Sequence, residues 1–199
     1  MKQLYLIRHG ETEWARTGKH TGLTDIPLNE QGKQHALLLG KRLQYLSFDH
    51  VFSSPLIRAF ETCTLCGLEP ELNPDLLEWN YGDYEGLTSS EIHKTDPHWN
   101  IFTHGAPNGE SIENVKNRID HLLKKLKPLK GKIALFSSGH FSRAFASQWL
   151  DLPIAKGKNF SLSTASFSIL GYENQNQVLK LWNDTSHYGN DDLNFPFTV

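Results

Sequence analysis

The sequence LYLIRHG at residues 4–10 decides the fold, because four largely apolar residues lead directly into Arg8, His9 and a glycine. A short apolar run that ends in a glycine-containing turn is typical of a strand buried in a parallel sheet. Residues 133–137 (IALFS) repeat the pattern and lead into Ser-Gly-His at 138–140. Ligands of such sheets bind at the carboxyl ends of the strands, so we expect the polar residues that follow both strands to share a site.

Helical patterns alternate with these strands along the chain. Residues 111–127 are the clearest helix, since apolar residues recur there at helical spacing and Ser111 can cap the start. This alternation predicts an α/β fold, a three-layer α/β/α sandwich with a mostly parallel, mixed central sheet. We expect residues 1–199 to form a single domain. The predicted strands are 2–7, 50–53 and 133–137, the predicted helices are 30–46, 55–66, 111–127 and 142–150, and a closing hairpin pairs 166–171 with 177–183.

Residues 88–110 interrupt the alternation of strands and helices. Thr88 and Glu91 resemble a capping box, which predicts a short helix at the start of this segment. The remainder is rich in proline and glycine and predicts a lid-like loop, and loops of this length are often functional. We therefore expect Trp99 and His104 to bind substrate, although core packing would also explain the aromatic residues.

Charge and composition exclude several classes of protein. The 199 residues include 20 Lys and Arg and 22 Asp and Glu, a net charge of −2, which argues against a nucleic-acid partner and a polybasic membrane-surface protein. Apolar runs fall short of the roughly 18 residues that a membrane span needs. With two cysteines and no secretory signal at the start of the sequence, we predict a cytoplasmic protein.

Two arginines, two histidines and a carboxylate stand where the strands end. They are Arg8, His9, Arg58, Glu78 and His140. Arginine forms bidentate hydrogen bonds with phosphate, a neutral histidine can act as a nucleophile, and a carboxylic acid can protonate a leaving oxygen. The set therefore suits phosphoryl transfer. Because cationic side chains can neutralise the transition-state charge, we expect no metal and no cofactor.

The order of these motifs resembles the histidine phosphatase superfamily, also called phosphoglycerate-mutase-like. The resemblance covers most of the chain and implies a phosphoglycerate-mutase-like fold. Its motifs are LIRHGETEW at 6–14, TGLTDIPL at 21–28, SSPLIRA at 53–59, the acidic loop LEWNYGDYEG at 77–86, and SGH at 138–140.

The resemblance implies a role for each residue of the set. His9 would be the nucleophile that becomes phosphohistidine, and Arg8, Arg58 and His140 would hold the transferred phosphoryl group. Glu78 would be the general acid and then the general base for water.

Other residues of the matching motifs are less firmly assigned. For the acid, Asp83 and Glu85 in the same loop remain alternatives to Glu78. The positions of Thr21 and Gly22 usually touch substrate in the family. His20 either lines the pocket or lies on the surface.

Two further features bear on the substrate. The family often has asparagine after the tryptophan of the first motif, where this chain has Ala15, so that contact with phosphate is in doubt. Residues 21–28, 78–86 and 99–110 look most like the sedoheptulose-bisphosphatase branch. Arg143 also matches that branch, which implies that it could hold a distal phosphate.

We therefore expect a phosphatase that hydrolyses a small phosphorylated metabolite through a phosphohistidine intermediate. A sugar phosphate or bisphosphate, such as sedoheptulose 1,7-bisphosphate, is the expected substrate. The alternatives are a cofactor-dependent phosphoglycerate mutase, which shares the chemistry up to phosphohistidine, and a non-catalytic phosphate-binding regulatory module.

Overall fold

The computed structural model describes residues 2–188 and contains a six-stranded mixed sheet in the order β3-β2-β4-β1-β5-β6. Neighbours from β3 to β1 are parallel, and β5 and β6 are antiparallel to their neighbours. The α/β fold with a mixed central sheet is confirmed. The strands are β1 (Gln3–Arg8), β2 (His50–Ser53), β3 (Glu71–Leu72), β4 (Lys132–Ser137), β5 (Phe167–Glu173) and β6 (Asn176–Asp184).

Helices cover both faces of this sheet. The α-helices are α1 (Glu13–Arg16), α2 (Glu30–Leu43), α3 (Ile57–Leu65), α4 (Ser89–Ile92), α5 (Ile101–His104), α6 (Ile112–Leu126) and α7 (Gly139–Trp149). Short 3₁₀ helices span Pro74–Leu76, Gly82–Tyr84, Ile154–Asn159 and Ser186–Tyr188.

Alternate side chains of β1 enter two separate hydrophobic cores. Leu4 and Leu6 pack in the core that α6 and α7 cover, whereas Tyr5 and Ile7 pack in the core that α2 and α3 cover. Successive side chains of a strand point to opposite faces, so a run without polar residues needs helices on both sides. This explains why the apolar run of β1 decides the layer structure.

The register of β1 against β4 brings the two predicted strand ends together. The strands pair in parallel from Gln3 opposite Lys132 to Arg8 opposite Ser137. The main-chain N–H of His9 also donates to the carbonyl of Ser137, at 2.9 Å. Residues that follow either strand therefore leave the same edge of the sheet side by side.

The helix predicted from residue 142 begins earlier, at Gly139, so His140 lies in its first turn. Ser138 makes no side-chain capping bond there. The N–H groups of His140 and Phe141 donate instead to the carboxylate of Glu78. The cap comes from a residue about sixty positions away, so local sequence could not reveal it.

Other boundaries also differ from the prediction, because short elements carry little periodic signal. Helix α2 ends at Leu43 rather than at residue 46, and α3 begins at Ile57 rather than at residue 55. Strand β3, the short helix α1 and the 3₁₀ helix Ile154–Asn159 were not predicted.

The segment 88–110 is packed against the rest of the protein. The capping box of Thr88 and Glu91 is present and opens α4. Where a loop was predicted, α5 follows, and Trp99 and Phe102 are 6% and 1% exposed within the core that contains Leu4. The structure therefore shows core packing, which was the alternative interpretation of these aromatic residues.

None of the helices within residues 2–188 is long and apolar enough to cross a membrane.

The start of α2 packs backbone to backbone against the turn after β1. A Cβ atom at Gly32 would lie 2.1 Å from the carbonyl oxygen of Glu11, and one at Gly10 would lie 2.6 Å from the carbonyl oxygen of Gly32. Neither backbone can yield without moving the residues beside His9. Glycine is therefore required at both positions.

Replacing Gly32 by alanine tests this contact. We expect Gly32→Ala to lower the free energy of unfolding by about 1–3 kcal/mol, the usual cost of overpacking, as measured by urea denaturation. Lys41→Ala, at an exposed position of the same helix, should change it by less than about 0.5 kcal/mol. Equal stability of the two variants would contradict the close approach.

Candidate active site

A cavity of about 80 Å³ lies at the carboxyl ends of β1 and β4. The residues that line it come from the end of β1, from α1 and the connection that follows it, from the acidic loop, from the start of α7 and from Leu162. Seven of the predicted site residues line this cavity: Arg8, His9, His20, Thr21, Glu78, His140 and Arg143.

His9 is held as a neutral imidazole with one free nitrogen. Its Nδ1 lies 2.7 Å from the carbonyl oxygen of Gly10, and a carbonyl can only accept, so Nδ1 carries the proton. Burial, together with the charges of Arg58 and Arg8, holds the pKa of His9 well below its usual value. The lone pair is therefore on Nε2, which is the arrangement that a nucleophile needs.

Arg8 and Arg58 are both anchored by main-chain carbonyl groups. Arg8 donates through Nη1 to Leu162, at 2.5 Å. Arg58, fully buried beside His9, donates to the carbonyls of Thr21, Gly22 and Thr24 at 2.7–3.2 Å.

Each of these guanidinium groups is only partly hydrogen-bonded by the described residues. The Nε atoms of Arg8 and Arg58 are buried and have no hydrogen-bond partner in the part of the chain that the structure describes. Buried donors are normally satisfied, so a bound anion is the partner that these atoms fit. Arg58 does not line the cavity itself but stands behind it, next to His9.

Glu78 is fixed by three main-chain N–H groups. Its Oε1 accepts from Trp79 and Phe141, at 2.9 and 2.7 Å, and its Oε2 accepts from His140 at 2.9 Å. The last two donors belong to the first turn of α7, where N–H groups lack partners within the helix. The carboxylate is 4% exposed and lines the cavity.

The two alternative acids lie elsewhere. The exposed Asp83 accepts from the side chain of Asn108, at 2.8 Å. Glu85 accepts from the N–H groups of Gly22 and Thr24. It thereby holds the same loop whose carbonyl groups accept from Arg58. Neither of them lines the cavity, so the structure places Glu78 alone of the three acids there.

Sequence reasoning missed the ion pair that positions the acidic loop. Arg118 of α6 donates to both carboxylate oxygens of Glu110, at 3.0 and 2.8 Å, and to the carbonyls of Asp75 and Leu77, at 3.1 and 2.6 Å. Glu110 also accepts from the N–H of Asn80. No local pattern signals these contacts, because Arg118 and Glu110 are eight residues apart and the backbone groups that they bind lie about thirty to forty residues away.

Arg143 approaches the cavity from α7. Its Nε and Nη2 donate to the carbonyls of Gly157 and Lys158, at 3.0 and 3.1 Å, and its guanidinium lies 4.7 Å from the ring centre of Phe102. Burial lowers its pKa to about 10, so it remains a cation at neutral pH. Lys19, which sequence reasoning also missed, adds a third cationic side chain to the lining, after Arg8 and Arg143.

The remaining predicted site residues lie at the cavity, in the protein interior or at the surface. His20 lines the cavity and meets Ser89 of α4, while the buried Gly22 lies in the loop that Arg58 holds. Trp99 is instead buried, and its Nε1 donates to the carbonyl of Gly105. The exposed His104 is hydrogen-bonded through Nδ1 to the hydroxyl of Thr103 in its own helix. The structure does not bring Trp99 or His104 to the cavity.

Ala15 and Tyr81 also line the cavity, and sequence reasoning assigned neither of them as a site residue. Ala15, which stands where the family often has asparagine, lies at the cavity without a polar side chain. Tyr81 is 1% exposed, and its hydroxyl is hydrogen-bonded to Nδ1 of His140. Among residues 2–188, no group of three or more His, Cys, Asp and Glu side chains is placed to hold a metal ion.

Comparison with known proteins agrees with this geometry. The family model of the histidine phosphatase superfamily (branch 1) matches residues 4–185. The chain belongs to this superfamily. It is a phosphatase, a phosphoric monoester hydrolase, as expected from the ordered motifs.

Curated and solved members of the histidine phosphatase superfamily cover most of the chain. An acid phosphatase of Mycobacterium tuberculosis is 41% identical, covering 93% of this chain and 94% of that protein. The sedoheptulose 1,7-bisphosphatase of Saccharomyces cerevisiae is 34% identical, covering 76% of this chain and 68% of its own length. A solved structure of the open reading frame Rv3214 from M. tuberculosis has a TM-score of 0.88 and 38% identity, with 92% of this chain and 97% of that chain covered.

The position of Glu78 in this histidine phosphatase leads to a test of the acid. We expect Glu78→Gln to lower kcat by roughly 10²–10⁴, because an amide cannot exchange a proton with the leaving oxygen. Asp83→Asn, in the same loop but away from the cavity, should keep kcat within about twofold of the parent value, since it removes no proton donor. A larger loss in Asp83→Asn than in Glu78→Gln, measured as phosphate release, would contradict the placement.

Four buried or half-buried histidines make the stability of this phosphatase depend on pH. The pKa values of His9 and His140 lie well below the usual value, and those of His20 and His187 fall to about 4, in each case chiefly through burial. In the unfolded chain these groups take up protons near pH 6.5. The unfolded state therefore binds more protons between about pH 6.5 and 4, and stability falls as the pH falls through this window.

Urea unfolding at pH 7.5 and pH 5.0 measures this dependence. We expect a lower midpoint at pH 5.0, and a smaller difference between the two pH values in His187→Gln, which removes one titrating group away from the cavity. His98→Gln, which removes an exposed histidine, is the matched control and should leave the difference unchanged. Equal midpoints at both pH values would show that the histidines are not buried in their neutral form.

Proposed function

We propose that this phosphatase hydrolyses small phosphorylated metabolites through a phosphohistidine at His9. The observation that carries the proposal is the hydrogen bond from Nδ1 of His9 to the carbonyl of Gly10, which leaves Nε2 unprotonated at the cavity. A neutral imidazole whose other nitrogen is occupied can attack only through Nε2.

The reaction proceeds in two displacements. Glu78 enters the cycle in its protonated form. Nε2 of His9 attacks phosphorus in line, the bond to the ester oxygen breaks, and Glu78 gives its proton to the leaving alkoxide. Water then enters, Glu78 takes its proton, and the hydroxide displaces Nε2 from phosphorus. Inorganic phosphate leaves, and His9 and Glu78 return to their starting states.

Arginine side chains supply the charge that these steps need. Arg8 and Arg58 each have a buried Nε–H group that has no hydrogen-bond partner among the described residues. Their hydrogen bonds to main-chain carbonyls hold both side chains in place without a substrate. Fixed cations in a site shielded from water stabilise the charge of a transferring phosphoryl group strongly. The reaction therefore needs no metal ion.

Support for a sugar phosphate or bisphosphate comes from two further cationic side chains that line the cavity. Arg143 and Lys19 stand there, and neither forms an ion pair with another described residue. The Nη1 atom of Arg143 has no hydrogen-bond partner within the described part of the chain. The other two nitrogens of this guanidinium donate to main-chain carbonyls. A second anionic group on the substrate, such as the distal phosphate of sedoheptulose 1,7-bisphosphate, would fit this position.

A screen of phosphate release over sugar monophosphates and bisphosphates tests the proposed reaction. We expect turnover that survives EDTA and that is lost in His9→Ala. Arg143→Gln should raise KM for a bisphosphate by about tenfold or more, the worth of one charge-assisted hydrogen bond, and raise KM for the matching monophosphate much less. Full activity of His9→Ala, or loss of activity in EDTA, would contradict the mechanism.

The same preparation distinguishes the alternatives. Rapid formation of 2-phosphoglycerate from 3-phosphoglycerate with a trace of the bisphosphate, and without free phosphate, would show a mutase. Tight binding of one phosphorylated compound without any turnover would show a regulatory module.

A further inference from the structure

Tyr81 lines the cavity next to His140. Its ring is 1% exposed and stacks on His20 with ring centres 4.8 Å apart and an angle of 24° between the planes. Its hydroxyl is hydrogen-bonded to Nδ1 of His140. These contacts hold the hydroxyl in one place, although Tyr81 belongs to a loop.

The position of the protons follows from which groups can donate. In the described part of the chain, the Tyr81 hydroxyl has one hydrogen-bond partner, Nδ1 of His140. If Nδ1 carried the proton, it would donate to the hydroxyl oxygen, and the buried O–H of Tyr81 would have no acceptor. If Nδ1 is unprotonated, the O–H donates to it and both groups are satisfied.

We propose that Tyr81 is a positioning residue for the phosphatase reaction, whose hydroxyl donates to Nδ1 of His140 and thereby places the single proton of that imidazole on Nε2, facing the phosphoryl group. The proposal rests on the proposed function in one respect, namely that a phosphoryl group occupies the cavity. His140 then acts as a hydrogen-bond donor of fixed direction.

One main-chain contact and one side-chain contact of His140 support a fixed direction. The N–H of His140 donates to Oε2 of Glu78, at 2.9 Å, so the backbone and the ring are each held by a residue of the acidic loop. The ring lines the cavity, and its Nε2 has no hydrogen-bond partner among residues 2–188. A phosphoryl oxygen would supply the acceptor.

Burial and the surrounding charges keep the ring of His140 neutral. The titratable groups that face it are Arg8 from β1, His20, Glu78 and Tyr81 from the loops, and Arg143 from α7. Burial and the charges of Arg143 and Arg8 hold the pKa of His140 well below its usual value. Burial, with Glu78 nearby, holds the pKa of Tyr81 well above its usual value, so the hydroxyl keeps its proton.

Nitrogen NMR of the full-length protein reads the tautomer directly. His140→Gln serves only to assign the signals of His140. In the wild-type protein we expect Nε2 to carry the proton and Nδ1 to show the shift of an unprotonated nitrogen that accepts a hydrogen bond. A proton on Nδ1 of the wild-type protein would overturn the proposal, whether or not any variant folds.

Removal of the hydroxyl supplies the second readout. In Tyr81→Phe we expect the Nδ1 signal to move to that of an unbonded nitrogen, and inhibition by inorganic phosphate to weaken by about tenfold, as for loss of one well-directed hydrogen bond to an anion. The matched control is Tyr84→Phe, which removes a hydroxyl from the same loop where the ring packs on Trp99. It should leave both readouts unchanged.

The two measurements separate this inference from the proposed function. The tautomer is measured without turnover, so a protein that hydrolyses none of the screened compounds still gives an answer. An unchanged Nδ1 signal in Tyr81→Phe, or unchanged inhibition by phosphate, would overturn the positioning role.

Discussion

The carboxylate of Glu78 is the contact on which the site depends. It accepts main-chain N–H groups from Trp79, His140 and Phe141, and so joins the acidic loop to the first turn of α7. Because α7 follows β4 directly, this contact also sets where the loop lies relative to the sheet edge. Without it, three buried N–H groups would lack a partner, and such a loss is more costly than the net gain from an ordinary hydrogen bond.

Charged side chains hold the loops that regular secondary structure does not. Arg118 and Glu110 hold the backbone on both sides of Glu78, while Arg58 and Glu85 hold residues 21–24 through carbonyl and N–H groups respectively. Both arrangements are complete within the protein itself. The donors that face the cavity are thus in position before a phosphoryl group arrives, which is what electrostatic catalysis requires.

Much of the fold followed from local patterns, and the errors have physical causes. The apolar runs of β1 and β4 and the periodicity of α6 predicted the layers, because each pattern is contained in one element. The early start of α7 was missed, since its cap is the distant Glu78. Trp99 was expected at the substrate because its type suits both a binding loop and a core, and its burial depends on packing that no short window contains.

The sequence by itself determined the fold class, the order of the motifs and the residue types available for phosphoryl transfer, because these depend on neighbours along the chain. Only the tertiary structure decided which of three acids reaches the cavity, that Arg118 holds its loop, and that Tyr81 meets His140. Those outcomes depend on burial and on hydrogen bonds between residues tens of positions apart. Such pairs form only when the folded chain brings elements that are distant in the sequence into contact.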